Sequence, residues 1–225
     1  MKTLSLILFI SFLPSFHAFE SEIKESIVVL KKQKRIINEI KNTSSAPNDE
    51  ALGIVFPEMI RWSAFKDFIE TTALETMYVS NGKSTVDFSI GYFQMKPSFI
   101  EDLEIYIAQH HSVQSFDFIV LKDKTPKECR AERIKRLKDW AWQIRYAHVY
   151  WAVANDVFKN KIFKNATERV RFYATAYNYG FLKPIEDIEK WQAKVAFPYG
   201  LQYKGNQVAY SDLSIEFLEK YSKEF

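Results

Sequence analysis

Ile134, Leu137, Ala141, Ile144, His148 and Trp151 recur at alternating intervals of three and four residues. That spacing puts six side chains on one face of a helix and cannot line one face of a strand, where the repeat is two. The helical signal runs from Pro126 to Val157 and is the longest in the chain. Shorter versions lie elsewhere. Ile23, Ile27, Leu30, Ile37 and Ile40 predict a helix over Glu22 to Lys41, followed by a polar loop from Asn42 to Asn48. Asp49 is placed to cap a second helix, and Ala51 to Val79 is dense in apolar residues with Pro57 inside, where a proline begins or kinks a helix. Ser98 is placed to cap a helix reaching about His110. Glu168 to Tyr179 reads as a helix stopped by Gly180, Pro198 to Asn206 as loop, and Ser214 to Tyr221 as a last short helix. The fold class expected is mainly α, in one domain after a short leader.

Composition narrows the functions open to such a chain. Of 225 residues only one is cysteine, Cys129, so an internal disulfide framework and a Cys-rich zinc site are excluded. Lys and Arg number 31 against 28 Asp and Glu, a net charge of +3. That balance is too even for the concentrated basic face of a nucleic-acid binder. No metal and no organic cofactor is expected. At the start, Lys2 precedes an apolar run from Leu4 to Leu13, and Ala18 follows it. A basic start, a short apolar stretch and a small residue describe a secretory signal peptide over 1–18; the run is too short to span a bilayer. The mature protein is expected to be exported, periplasmic or extracellular, without a stable membrane anchor once the signal is cleaved.

Three segments bear chemistry. Gly53-Ile54-Val55-Phe56-Pro57-Glu58 ends a strongly apolar stretch on a carboxylate. Burial there raises a carboxyl pKa, as a general acid near neutral pH requires. Asp87 to Pro97 contains Gly91, free to adopt positive φ, and Gln94, an amide among apolar neighbours that needs polar partners. Phe172 to Gly180 ends a helix with Tyr177 and Asn178 just ahead of its glycine stop.

In this order the segments resemble the lysozyme-like lytic transglycosylase superfamily, the soluble lytic transglycosylase and goose-type lysozyme group. Gly91-Tyr92-Phe93-Gln94-Met95 looks like its Gly-Leu-Met-Gln segment, Ala176-Tyr177-Asn178-Tyr179-Gly180 like its Ala-Tyr-Asn-Ala-Gly segment, and Gly53 to Glu58 like the end of its catalytic helix. The resemblance covers Ala51 to Gly180. It implies a lysozyme-like domain with additional helices over 49–225, behind an N-terminal helix and loop over 19–48. It also implies Glu58 as the acid, with an insertion from Met59 to about Val79. Glu75, 16 residues before Gly91 and followed by Thr76, is an alternative acid, and Glu70 another.

The substrate so implied is the peptidoglycan glycan strand, cut at the β-1,4 bond between N-acetylmuramic acid and N-acetylglucosamine. One Glu acts as acid and then base, because the substrate's N-acetyl group can take the part of a second carboxylate. Attack by the muramoyl 6-hydroxyl gives a 1,6-anhydro product. Attack by water gives a lysozyme-type hydrolase, and Asp87 is the residue that would position that water. Ser89, Gln94, Tyr177 and Asn178 would hold the sugar. A non-catalytic wall-binding envelope protein on the same scaffold is the other reading. The basic, aromatic stretch from Arg130 to Trp151 suits either sugar stacking or a core helix with a solvated rim.

Overall fold

A computed structural model of the chain describes residues 19–64, 71–201 and 204–225. The signal segment and Glu70 lie outside them. The protein is mainly α, as its periodicity predicts. In chain order the helices are α1 (Glu20–Lys32), α2 (Lys34–Lys41), α3 (Asn48–Ala64), α4 (Thr71–Asn81) and α5 (Pro97–Gln109), then α6 (Pro126–Lys138), α7 (Trp140–Val157), α8 (Ala166–Tyr179), α9 (Ile185–Gln192) and α10 (Tyr210–Lys220). A 3₁₀ segment, His111–Ile119, follows α5. A two-stranded antiparallel ribbon, β1 (Val195–Phe197) with β2 (Val208–Ala209), joins α9 to α10.

α3 is the axis of the fold. Ala51, Leu52, Ile54, Val55, Phe56, Met59 and Ile60 are all buried, on every side of the helix. A helix apolar all round has to be surrounded, and α1, α7, α8 and α10 pack around this one. Pro57 lies inside α3. Proline has no N–H to give and crowds the carbonyl four residues back. Close to that opening, the Tyr210 hydroxyl donates to the Ile54 carbonyl at 3.2 Å. The ends of α3 and α7 are tied by buried polar contacts. His148, kept neutral by burial, lies 3.2 Å from the Asn48 amide oxygen, and the Glu50 carboxylate accepts from Trp151 Nε1 at 2.9 Å and from two nitrogens of Arg169.

Two predicted helices are each two. The N-terminal one breaks at Gln33, whose N–H bonds back to Leu30 while the chain turns. The break lets α1 pack on α3 and α2 on α7, and both add residues to the same core, including Leu30 and Ile37. The region 19–48, expected as a helix and loop, is two helices followed by a loop, and both helices contribute to the core. The long signal from Pro126 breaks at Asp139, which is extended and caps α7 by accepting the Trp142 N–H at 2.9 Å. Apolar spacing runs straight through because Leu137 and Ala141 flank the break and Asp139 itself is not part of the stripe. The α5 helix starts at Pro97, with no side-chain cap from Ser98.

The basic residues of α6 serve this scaffold. Arg133 grips Glu104 at 2.7 Å, Arg136 pairs with Glu132 at 3.2 Å, and Arg130 donates to the Val79 and Ser80 carbonyls. Among the described residues no helix is long and apolar enough to cross a membrane.

Arg169→Leu would strand the buried Glu50 carboxylate. A lowering of stability by about 3 kcal/mol, read from the urea midpoint, is expected. Adding Glu50→Gln should recover much of it, because the charge left without a partner is then gone.

Candidate functional site

Glu58 stands on the last turns of α3, only 4 % exposed. Burial raises its pKa from 4.5 to about 7, against the opposing pull of Arg61 and Lys96. Arg61 Nη1 lies 3.7 Å from Oε2, close enough for charge attraction but too far for a hydrogen bond. Oε2 is buried without a hydrogen-bond partner among the described residues. A buried carboxyl oxygen left unmatched costs roughly 1–3 kcal/mol and calls for an explanation. Tyr177 and Tyr210 adjoin this carboxyl. Burial first, and then the Glu58 charge, hold both phenols well above their ordinary pKa, so they stay neutral donors.

The segment after α4 forms the opposite wall. Ile90 and Met95 pair as an isolated bridge, closing a tight turn over Gly91 to Gln94. Gly91 has φ +74°, and a Cβ there would lie 2.2 Å from the Gln143 amide nitrogen. Gln143 is buried in α7, and its Oε1 accepts the Phe93 N–H at 3.0 Å. The Tyr177 hydroxyl donates to the Phe93 carbonyl at 2.8 Å. Both backbone polar groups of Phe93 are therefore held by side chains from other helices, which fixes the turn against α7 and α8. Gln94 takes φ +46°, and its Nε2 donates to the Gly91 carbonyl at 2.8 Å. That leaves its amide oxygen as the acceptor available to the cleft.

α8 ends where the sequence predicts, at Gly180 with φ +126°. Asn178 is exposed there, and its Oδ1 accepts from Trp191 Nε1 at 3.3 Å. The Tyr179 ring stacks on Trp191 at 4.8 Å. Trp191 therefore directs the Asn178 amide so that its NH₂ is free to donate.

Between these walls lies a cleft of about 460 Å³. Glu58, Asp87, Ser89, Gln94, Tyr177 and Asn178 all line it, from α3, the 87–94 segment and the end of α8. These six are the site residues expected from sequence, and the fold brings them together across more than a hundred positions of chain. Asp87 is already engaged. Its Oδ1 accepts the Ser98 N–H at the start of α5 at 3.4 Å, and Oδ2 pairs with Lys96 at 3.3 Å. Glu75 is not in the cleft; it sits on α4 and pairs with Lys138 at 3.0 Å, on the side that packs against α6. The aromatic residues of α7 are largely core, and Trp140 stacks on Tyr92 at 4.1 Å. Gln143, Trp191 and Tyr210 were not legible as site residues. Each acts through a long-range contact with no local sequence mark. Among the described residues no group of three or more His, Cys, Asp or Glu side chains is arranged to hold a metal ion.

Fold and site together define a mainly helical protein with one buried carboxylic acid facing a polar cleft. Comparisons with protein-family models, curated proteins and solved structures find no match.

The raised Glu58 pKa has a stability consequence. Below about pH 4.5 the carboxyl is protonated in the folded and unfolded states alike, and burial costs nothing extra. As the pH rises to about 7 the unfolded chain ionises first, so the contribution of Glu58 to stability falls through that window, while that of buried His148, whose pKa is lowered to about 4, rises over much of it. Glu58→Gln should remove the Glu58 contribution and leave the variant on the order of 2–3 kcal/mol more stable than wild type at pH 8, with near equality at pH 4, by urea denaturation. Gly91→Ala should cost at least about 2 kcal/mol, since it strains the backbone and evicts the Gln143 amide from Phe93. In a Gln143→Ala background the same change should cost measurably less.

Proposed function

We propose that the protein is a peptidoglycan-cleaving lytic transglycosylase with Glu58 as its only acid and base. The observation that carries this reading is the buried Oε2 of Glu58, without a hydrogen-bond partner among the described residues, at the wall of a cleft that also holds the polar side chains of Ser89, Gln94, Tyr177 and Asn178. A proton-bearing carboxyl there lacks a partner that a glycosidic oxygen would supply. The sequence resemblance adds the substrate class, and the apolar run ahead of Ala18 adds export to the cell wall's compartment.

In this mechanism the protonated Glu58 gives its proton to the bridging oxygen as the bond from the muramoyl C1 breaks. The N-acetyl carbonyl of that sugar attacks C1 from the far side and carries the positive charge. The Glu58 carboxylate then takes the proton of the 6-hydroxyl, whose oxygen closes on C1 and displaces the acetamido oxygen. The acid is restored and a 1,6-anhydro sugar leaves. Asn178, with its NH₂ free, donates to an acyl or hydroxyl oxygen, and Gln94 accepts from a hydroxyl. The transglycosylase outcome is favoured over hydrolysis because the other cleft carboxylates are occupied, Asp87 by Lys96 and Ser98, and Asp102 by Lys83 at 3.3 Å. Neither is free to prepare a water.

Purified protein incubated with peptidoglycan should release anhydro-muropeptides, identified by mass. Glu58→Gln should lower the rate by at least about a hundredfold, whereas Glu75→Gln should retain it. Since the first step needs protonated Glu58, kcat/KM should decline above about pH 7. Full activity in Glu58→Gln would overturn the assignment. Reducing-end products in place of anhydro ones would convert it to a hydrolase.

A further inference from the structure

The cleft at Glu58 continues past Arg61 and Asn178, which line both sides of the join, into a larger chamber of about 700 Å³. Its walls come from the end of α8, α9, β1 with the following turn, and the first residues of α10. Gln207 pins that turn by donating to the Ala196 carbonyl at 3.1 Å.

The two compartments differ in charge. The Glu58 cleft mixes signs, with Glu58, Asp87 and Asp102 facing Arg61, Lys96 and Lys183. The chamber has no carboxylate among its described lining residues, and its charged groups are Arg61 and Lys194. Lys194 is exposed and makes no ion pair among the described residues. Around these cations stand an apolar wall of Trp191, Phe197 and Pro198 and the hydroxyls of Thr175 and Ser211. A neutral sugar does not call for a cation such as Lys194, unpaired among the described residues, on a wall without carboxylates. A ligand with free carboxylates and small apolar groups does, because no described carboxylate lines this side of the join to repel it, whereas Glu58, Asp87 and Asp102 line the other.

We propose that this chamber binds the anionic stem peptide carried by muramoyl residues, so that the protein selects peptide-bearing strands over stripped ones. The inference rests on the peptidoglycan reading for its substrate. On such a strand the sugars are neutral apart from the substituent, and the free carboxylates belong to the peptide. Carboxylates meet Lys194 and Arg61, alanyl methyl groups meet Trp191 and Phe197, and the glycan passes Glu58 in the adjoining cleft.

The direct test is calorimetric titration of the full-length mature protein with a synthetic stem pentapeptide and with its carboxyl-amidated counterpart. The free-acid peptide should bind at least about fivefold more tightly, the scale of one well-placed charge contact. Lys194→Glu should erase that difference and Lys194→Arg should retain it. Lys194 lies at the surface after α9, so folding of these variants is not at issue, and circular dichroism checks it. Equal binding of the two peptides, absent binding of both, or no effect of Lys194→Glu would overturn the proposal.

A second arm compares cleavage of intact glycan strands with cleavage of strands stripped by an amidase. Wild type should favour intact strands by at least about fivefold in kcat/KM, and Lys194→Glu should bring the ratio toward one. Cleavage of both strands at the same rate would overturn the inference while leaving the proposed function standing. Charge-selective peptide binding with cleavage of neither strand would do the reverse.

Discussion

The burial of α3 on all sides governs the rest of the molecule. Its apolar residues from Ala51 to Ile60 leave no face for water, so other helices have to close around it. Glu58 is carried into that environment by position alone, one residue after Pro57 and one before Met59. The same packing that stabilises the fold therefore destabilises the ionised carboxylate and keeps a proton on it near neutral pH. Acid strength and core are one property here. A looser α3 would give an ordinary glutamate.

The second requirement is that something rigid face this acid. The turn at Gly91 to Gln94 has little structure of its own, a single bridge between Ile90 and Met95. Its rigidity is borrowed. Gln143 from α7 and Tyr177 from α8 hold the two backbone groups of Phe93, and Tyr92 is packed between Trp62 and Trp140, each at 4.1 Å. Tyr177 is braced in turn by the rings of Phe99 and Tyr150. High aromatic content thus has mostly a structural use, and Phe99, Tyr177, Tyr179 and Phe181 both pack against the core and line the cleft. Site groups held by rigid elements and second contacts keep their geometry better than groups on free loops.

Much of this was legible locally. The stop of α8 at Gly180 follows from glycine's access to positive φ, and the burial of Glu58 follows from the apolar run before it, although α3 continues past it to Ala64. The failures have physical causes. The breaks at Gln33 and Asp139 interrupt stripes whose apolar spacing is unbroken, so periodicity gives no sign of them. The chain bends there because α1 and α2, and likewise α6 and α7, pack against different neighbours. α9 and the β1–β2 ribbon are short and went unread, since eight residues or fewer carry little periodic signal. The end of α9, β1 and the residues that link and follow them form most of the second chamber.

By itself, the sequence determined the helical class, the core positions, the turn at Gly91 and the identity of the polar groups available for chemistry. These are consequences of local rules, namely the 3.6-residue repeat and the backbone freedom of glycine. Only the tertiary structure decided that Glu58, and not Glu75, is the carboxylate buried in the cleft. Glu58, Glu70 and Glu75 all follow apolar residues, and nothing local distinguishes a glutamate enclosed by α3's neighbours from one paired with Lys138 on an outer helix. Desolvation depends on atoms brought in from far along the chain, and so does the one-sided charge of the chamber beyond Arg61.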